Sequence, residues 1–137
     1  NESYTNICCL YATAPLVRKE DIISSYELLL KKKSKSFVFS ASSFDFPIQR
    51  ALKIDKDGFS KMLRPEYALT RSQDLEEYFH DAGQFYWGGK SEWISDFNIF
   101  ENGIPFLIPR WRVQDIDTIE DWKRAEIIFK MVREIDC

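Results

Sequence analysis

The sequence predicts an α/β fold with a mainly parallel sheet. An apolar run at 7–11, an amphipathic segment at 20–33 and a second apolar run at 36–42 follow one another closely. A strand, helix and strand in this order form a βαβ unit with parallel strands and a right-handed crossover. With 137 residues, the chain is long enough for one domain with a buried core.

The predicted βαβ unit depends on apolar spacing. Residues 7–11, I-C-C-L-Y, are continuously apolar, as is typical of a strand that is buried on both faces, and Pro15 ends the run in a loop. Segment 20–33 has apolar residues at helical spacing, with acidic residues first and lysines last, which suits the helix dipole. The run S-F-V-F-S-A-S at 36–42 then predicts the second strand.

The middle of the chain has a different character. Two amphipathic runs, 48–54 and 59–63, flank D-K-D-G at 55–58, which is a hairpin turn signal. We expect this hairpin to project from the α/β core and to contact a second subunit. Residues 83–87 predict a further strand, and 91–97 predict a short helix.

The C-terminal third predicts an edge strand and a long helix. Residues 104–109 contain two prolines, which restricts them to an edge or irregular strand. Residues 111–116 predict a strand that ends at the acidic residues, and 119–135 predict a helix whose start has a capping-box pattern at Thr118 and Asp121. The expected core face of that helix comprises Trp122, Ala125, Phe129 and Val132.

Composition excludes several classes of protein. A hydrophobic content of 45%, with 15% aromatic residues, excludes a disordered chain. The net charge of −3 argues against nucleic-acid binding, and no apolar run reaches the ~20 residues of a membrane span. Three cysteines, two of them adjacent, favour reduced thiols and a cytoplasmic location over a disulfide framework.

Three motifs occur in an informative order. They are Y-A-T-A-P-L at 11–16, R-S-Q-D-L at 71–75 followed by A-G-Q-F-Y at 82–86, and D-I-D-T-I-E-D at 115–121. They resemble the P-T-S-P-L, R-x-Q-D-L, N/A-G-x-x-Y and D-I-D-T-x-x-D elements of the pseudaminic acid and N-acylneuraminate cytidylyltransferases. That family joins acidic nine-carbon sugars to CMP from CTP. The resemblance implies a Rossmann-like nucleotide-diphospho-sugar transferase fold with three α/β/α layers.

One family element does not occur in these 137 residues. It is the basic loop of the type A-R-x-G-S-K, which in the family holds the CTP phosphates. We therefore expect residues 1–137 to be the C-terminal portion of such an enzyme. Residues 44–82 are expected to form the projecting hairpin, to bind sugar and to mediate a homodimer. The isolated chain is expected to be inactive.

Asp115 and Asp117 are the candidate metal ligands. Carboxylate oxygens suit Mg²⁺, which commonly takes one or two protein carboxylates and fills its other positions with phosphate and water. Taken alone, a D-x-D sequence is more often a solvated helix start. The resemblance reverses this reading, because these aspartates hold the metal in the family.

The candidate substrate residues are Tyr11, Thr13, Arg71, Gln73 and His80. By resemblance, Arg71 binds the sugar carboxylate, a role that suits a bidentate guanidinium, and Gln73 bonds sugar hydroxyl or N-acyl groups. Histidine is a common general base, but for His80 we favour a polar substrate contact over proton transfer, with a structural hydrogen bond as the alternative. No residue is assigned a catalytic proton transfer.

Departures from the sialic acid branch favour pseudaminic acid as the sugar. Tyr11 and Ala12 stand where that branch has Gln and Pro, and Ala82 stands where it has Asn. Fewer amides and more apolar surface suit a sugar with a methyl terminus in place of a glycerol tail. The alternatives are the same reaction on N-acetylneuraminate or legionaminate, and a sugar-binding or dimerising module without catalytic power.

Overall fold

The computed structural model describes residues 3–32, 36–96 and 98–135. It divides into two compact units. The first comprises Asn1–Ser42 and Asp81–Cys137, and the second comprises Ser43–His80.

A four-stranded sheet organises the first unit. Its spatial order is β1 (Asn6–Leu10), β5 (Phe79–Gly89), β2 (Val38–Ser43) and β6 (Ile104–Leu107). β1 pairs antiparallel with β5, and β2 pairs parallel with β6. The α/β class is confirmed, but the sheet is mixed rather than mainly parallel. The sequence pattern could not reveal this, because β5 comes from much later in the chain and lies between the two strands of the predicted βαβ unit.

Four α-helices are present in the described part of the chain. They are α1 (Lys19–Lys31), α2 (Lys90–Trp93), α3 (Ile99–Asn102) and α4 (Ile119–Ile135). The two long amphipathic patterns therefore predicted α1 and α4 correctly. The helix predicted at 91–97 is the shorter α2, and residue 97 lies outside the described residues.

The strand predicted at 111–116 is wrong. Arg110–Arg112 is a 3-10 turn, and residues 113–116 have no regular structure. The Arg112 N–H bonds back to the Pro109 carbonyl, and the Arg112 carbonyl accepts from the Gln84 side chain at 2.7 Å. These backbone groups are thus satisfied locally and by a side chain instead of by a neighbouring strand. The edge position predicted for 104–109 is confirmed, since β6 ends the sheet order.

The core of the first unit lies around β2 and β5. Phe37, Val38 and Phe85 are almost fully buried, and Phe39 packs with Ala41 and Tyr86. Because β2 is buried on both faces, its sequence is a continuous small and apolar run. In β5, a Cβ at Gly88 would lie 2.6 Å from the Phe37 ring, so only glycine fits there.

A buried ion pair ties the 3-10 turn to α1. The side chains of Arg112 and Asp21 are 6% and 13% exposed. Arg112 Nη2 donates to Asp21 Oδ1 at 3.2 Å, and Nη1 donates to Oδ2. A two-point contact of this kind fixes orientation as well as charge. The turn that leads toward Asp115 is therefore anchored on α1.

The second unit contains the predicted hairpin. β3 (Leu52–Ile54) pairs antiparallel with β4 (Ser60–Met62). Asp55 Oδ1 accepts from the N–H groups of Asp57 at 3.1 Å and Phe59 at 3.0 Å, while Gly58 takes a φ of 86°. Positive φ is the reason that glycine is required at this turn.

Two further observations concern membrane-spanning helices and the cysteine thiols. No helix in the described ranges is both long and apolar enough to cross a membrane. Cys8 and Cys9 are free thiols. Burial, followed by the neighbouring Cys9, raises the pKa of Cys8.

Candidate functional site

A pocket of about 300 Å³ lies in the first unit. The loop after β1, the segment before α4 and one face of α4 form its walls, and Thr13 and Ile116 both contact it. The structure thus brings the 11–16 motif together with the residue between Asp115 and Asp117. The lining comprises Ala12, Thr13, Pro15, Ile116, Trp122, Ala125, Glu126 and Phe129.

The start of α4 positions one wall of this pocket. The backbone N–H and the hydroxyl of Thr118 donate to Asp121 Oδ2 at 2.9 and 2.7 Å, and the Asp121 N–H donates back to Thr118 Oγ1 at 3.2 Å. The predicted capping box is therefore confirmed. Hydrogen bonds from the Thr118 side chain and then its backbone lower the pKa of Asp121, so its carboxylate stays ionised as the cap.

The predicted core face of α4 is core only in part. Ala125 is 4% exposed, whereas Trp122 and Phe129 are 55% and 43% exposed. The two aromatic side chains line the pocket instead of a closed core. The helical spacing gave the correct face but could not distinguish a packed face from a pocket wall.

Asp115 and Asp117 are both exposed just before α4. Asp115 Oδ1 accepts from the Ile116 N–H at 3.1 Å. In the described part of the chain, the Asp117 carboxylate accepts no hydrogen bond, and its backbone N–H donates to Asp121 Oδ2 at 3.3 Å. Thr118 and Asp121 together supply the helix cap, which leaves oxygen atoms of Asp115 and Asp117 open to an outside ligand.

The two carboxylates of Asp115 and Asp117 fit a Mg²⁺ site in which the protein supplies only a few of the ligands. The described residues contain no group of three or more His, Cys, Asp or Glu side chains that could hold a metal. Two exposed carboxylates leave most of an octahedral shell to water and substrate phosphate, as Mg²⁺ sites commonly do. Their role as metal ligands stays a prediction.

Tyr11 is the first residue of the loop that follows β1. Its ring packs on the Tyr86 ring at a centroid distance of 5.2 Å, and 47% of the residue is exposed. The Tyr86 hydroxyl donates to Asp81 Oδ2. Burial first, and then the bond to Asp81, raise the pKa of Tyr86, which therefore remains a protonated donor. Sequence reasoning matched the G-x-x-Y element that contains Tyr86 but did not identify this contact or Asp81.

The structure places Arg71 and Gln73 in the second unit. Arg71 precedes a 3-10 turn, Ser72–Asp74, and both predicted side chains are exposed. The guanidinium of Arg71 already binds Asp74, with Nε to Oδ2 at 2.8 Å and Nη2 to Oδ1 at 3.4 Å. The bidentate geometry expected for a sugar carboxylate is thus present, with Asp74 as its partner.

His80 belongs to the second unit and is half-buried. Its ring packs on Phe44 at a centroid distance of 4.9 Å with the planes tilted by 56°. This ring packing is a structural contact and does not test the structural hydrogen bond expected as the alternative role of His80. Its contact with substrate stays a prediction.

Comparison with known proteins supports the resemblance seen in the motifs. The chain is 41% identical over 135 residues to the pseudaminic acid cytidylyltransferase of Campylobacter jejuni serotype O:2, and 40% identical over 135 residues to that of serotype O:23/36. These matches cover 98% of this chain and 58% of each relative, so the chain spans somewhat over half of their length.

A third relative is a two-function protein. The chain is 31% identical over 110 residues to the Helicobacter pylori pseudaminic acid cytidylyltransferase and UDP-2,4-diacetamido-2,4,6-trideoxy-beta-L-altropyranose hydrolase. This match covers 80% of the chain and 21% of the relative. No family model matches the chain. The resemblance to pseudaminic acid cytidylyltransferases is confirmed.

Proposed function

We propose that this chain supplies the sugar and metal side of a nucleotidyltransferase that transfers CMP from CTP to pseudaminic acid and releases pyrophosphate. The observation that carries the proposal is the pocket where the Thr13 loop and the Asp115–Asp117 segment meet. The names of the relatives support the reaction class and the sugar. The chain would work in the cytoplasm, where its free thiols stay reduced.

Asp115 and Asp117 would hold Mg²⁺ beside this pocket. A bound Mg²⁺ would supply charge neutralisation for the triphosphate. The chain's own contribution is placement, since α4 and its Thr118–Asp121 cap fix the segment that carries both carboxylates. Positioning and electrostatics are the main sources of catalysis in phosphoryl transfer.

Arg71 would bind the sugar carboxylate by exchanging one carboxylate for another. Its pair with Asp74 is exposed at 72% and 47% of the two side chains. Exposed pairs of this type contribute only ~0–1 kcal/mol. A substrate carboxylate can therefore replace Asp74 at little cost and find the guanidinium already in a two-point geometry.

Sugar binding is the first test of the proposal. We expect NMR titration of the 137-residue chain to show weak binding of pseudaminic acid. Arg71→Lys should weaken it clearly, because lysine keeps the charge but loses the fork. Arg64→Lys, at another exposed arginine of the second unit, is the matched control. Equal affinity in Arg71→Lys and the unchanged chain would contradict the carboxylate assignment.

CMP transfer is the second test. The 137 residues can replace the matching segment of the Campylobacter jejuni relative, with the unsubstituted chimera as reference. Asp115→Asn and Asp117→Asn should each reduce kcat strongly, because amides are weaker Mg²⁺ ligands than carboxylates. Asp96→Asn, an exposed carboxylate elsewhere in the first unit, should not. The isolated 137-residue chain should transfer little CMP, because it contains no A-R-x-G-S-K loop.

Homodimer formation through the hairpin belongs to the same proposal. Leu52, Ile54 and Phe59 are 63%, 71% and 71% exposed on or beside β3 and β4. Large exposed apolar side chains on a short two-stranded sheet are typical of an association surface. Light scattering should show a dimer that Ile54→Lys with Phe59→Lys converts to a monomer. A monomer at high concentration before substitution would remove the dimer from the proposal.

A further inference from the structure

A connected set of side chains lies beside the predicted substrate loop. Both carboxylate oxygens of Asp81 accept hydrogen bonds, Oδ1 from the Gly83 N–H at 3.0 Å and Oδ2 from the Tyr86 hydroxyl. Gly83 has a φ of 61°, a conformation that glycine adopts readily. Asp81 therefore holds a turn of the backbone within β5 and a buried hydroxyl at the same time.

Tyr86 transmits this restraint to Tyr11. Tyr86 is 4% exposed, and its ring packs in the cluster with Phe39 and Ala41, so it has little freedom to move. The Tyr11 ring lies on it at 5.2 Å, tilted by 46°. The Tyr11 N–H also donates to the Gln84 carbonyl at 2.9 Å. Both the backbone and the ring of Tyr11 are therefore held in place, while nearly half of the residue stays exposed.

We propose that Asp81 is a positioning residue for sugar selection, which acts by fixing Tyr86 and thereby the exposed ring of Tyr11 as an apolar wall. This inference rests on the proposed function. An aromatic wall favours a sugar end that carries a methyl group, because the methyl loses contact with water. It disfavours a glycerol tail, whose hydroxyl groups would lose hydrogen bonds to water without gaining partners.

The carboxylate chemistry of Asp81 is required by this arrangement. Two separate donors bond to its two oxygens, whereas asparagine offers one acceptor oxygen and a donor amide. Asp81→Asn therefore cannot accept both bonds, because its amide group must face either the Gly83 N–H or the Tyr86 hydroxyl. Tyr86→Phe removes only the hydroxyl and leaves the ring and its packing volume. Both variants alter the Asp81–Tyr86 bond, and Tyr86→Phe also removes the hydrogen bond between the Tyr86 and Tyr11 side chains.

The test compares two sugars on the 137-residue chain. NMR titration gives Kd for pseudaminic acid and for N-acetylneuraminate, and ¹³C-labelled tyrosine reports on the Tyr11 ring without any ligand. We expect both variants to shift the Tyr11 ring resonance. We also expect the Kd for N-acetylneuraminate divided by the Kd for pseudaminic acid to fall about tenfold, mostly through weaker pseudaminic acid binding. Tyr26→Phe is the matched control, since its hydroxyl lies in the same unit and bonds to Asn6 at 3.4 Å.

Each outcome has one meaning. An unchanged Kd ratio in a folded variant, or an equal loss for both sugars, would overturn sugar selection by Asp81 while the proposed function stands. If the unsubstituted chain binds neither sugar, the proposed function fails and the selection claim fails with it. An unmoved Tyr11 resonance would overturn the link between Asp81 and Tyr11. If Asp81→Asn does not fold, Tyr86→Phe decides.

Discussion

Different kinds of interaction stabilise the interior of each of the two units. The first buries apolar strands, with Phe37, Val38 and Phe85 at 2%, 0% and 0% exposure. In the second, the structure describes every residue from 43 to 80, and Gln49 is the only buried one. Its large apolar side chains are mostly exposed: Phe46, Leu52, Ile54, Phe59, Leu63 and Leu69.

Hydrogen bonds take the place of burial in the second unit. The Asp55 side chain closes the hairpin, Gln49 Nε2 donates to the Glu76 carbonyl at 2.8 Å, and Arg50 donates to the Thr70 carbonyl. A typical hydrogen bond contributes ~1 kcal/mol net, whereas burying a large apolar side chain contributes ~1.5–3 kcal/mol. The second unit should therefore open locally before the first.

The largest expected effect is on the buried ion pair of the first unit. Asp21→Ala leaves the buried Arg112 guanidinium without its partner, which should lower the free energy of unfolding by ~3–5 kcal/mol. Urea unfolding followed by circular dichroism measures this change. Lys61→Ala, which breaks the exposed pair with Asp55 in the second unit, is the control and should have little effect. Similar losses in both variants would remove the distinction between the units.

A smaller effect is expected for the one buried side chain of the second unit. Gln49→Met keeps the volume but removes the donor to the Glu76 carbonyl, so the free energy of opening this unit should fall by ~1 kcal/mol. Hydrogen exchange of the backbone amides in residues 43–80 is the measurement. Gln73→Met, at an exposed glutamine, should leave exchange unchanged. Faster exchange in the first unit alone would contradict the assignment.

A still smaller stability effect is expected for Asp74→Asn. The pair with Arg71 is exposed, so the free energy of unfolding should change by less than ~1 kcal/mol. Binding of pseudaminic acid should instead become a few-fold tighter, because the Arg71 fork no longer has a competing carboxylate. Calorimetric titration tests this. Weaker binding would mean that Asp74 positions Arg71 instead of competing for it.

The smallest effect concerns pH and the cap of α4. The folded pKa of Asp121 is lowered by its bonds to Thr118, so the carboxylate stabilises the helix above its unfolded pKa of ~3.9. That contribution is lost as pH falls through the lower folded pKa. Helix content measured between pH 5 and pH 2 should therefore fall less steeply in Asp121→Asn than in the unchanged chain. Identical curves would show that the cap carries no pH dependence.

Sequence patterns predicted elements whose causes are local. The Asp55–Gly58 turn, the Thr118–Asp121 cap and the apolar run of β2 each follow from neighbouring residues, and the structure confirms all three. The mixed sheet did not follow, because the insertion of β5 beside β2 depends on pairing between distant segments. The strand expected before Asp115 failed for a related reason, since the distant Gln84 side chain bonds the Arg112 carbonyl.

The candidate site was predictable to a similar extent. Motif matches selected the Thr13 loop and the Asp115–Asp117 segment, but only the structure places both at one pocket. Nothing in the local sequence around Arg71 required its fork to be engaged by Asp74, because an i, i+3 pair forms only if the backbone turns there. The Asp81–Tyr86 bond was also missed, because it depends on the burial of Tyr86 in the first unit, which no motif encodes.

The exposed indole of Trp122 makes this pocket optically observable. Trp122 lines the pocket together with Thr13 and Ile116, whereas Trp87 and Trp93 donate to Ser25 Oγ and the Ile7 carbonyl elsewhere in the unit. A ligand that enters the pocket removes water from the Trp122 ring and shifts its emission to shorter wavelength. Replacing the other three tryptophans by phenylalanine would leave a chain that reports its own occupancy, without a dye or an enzymatic assay.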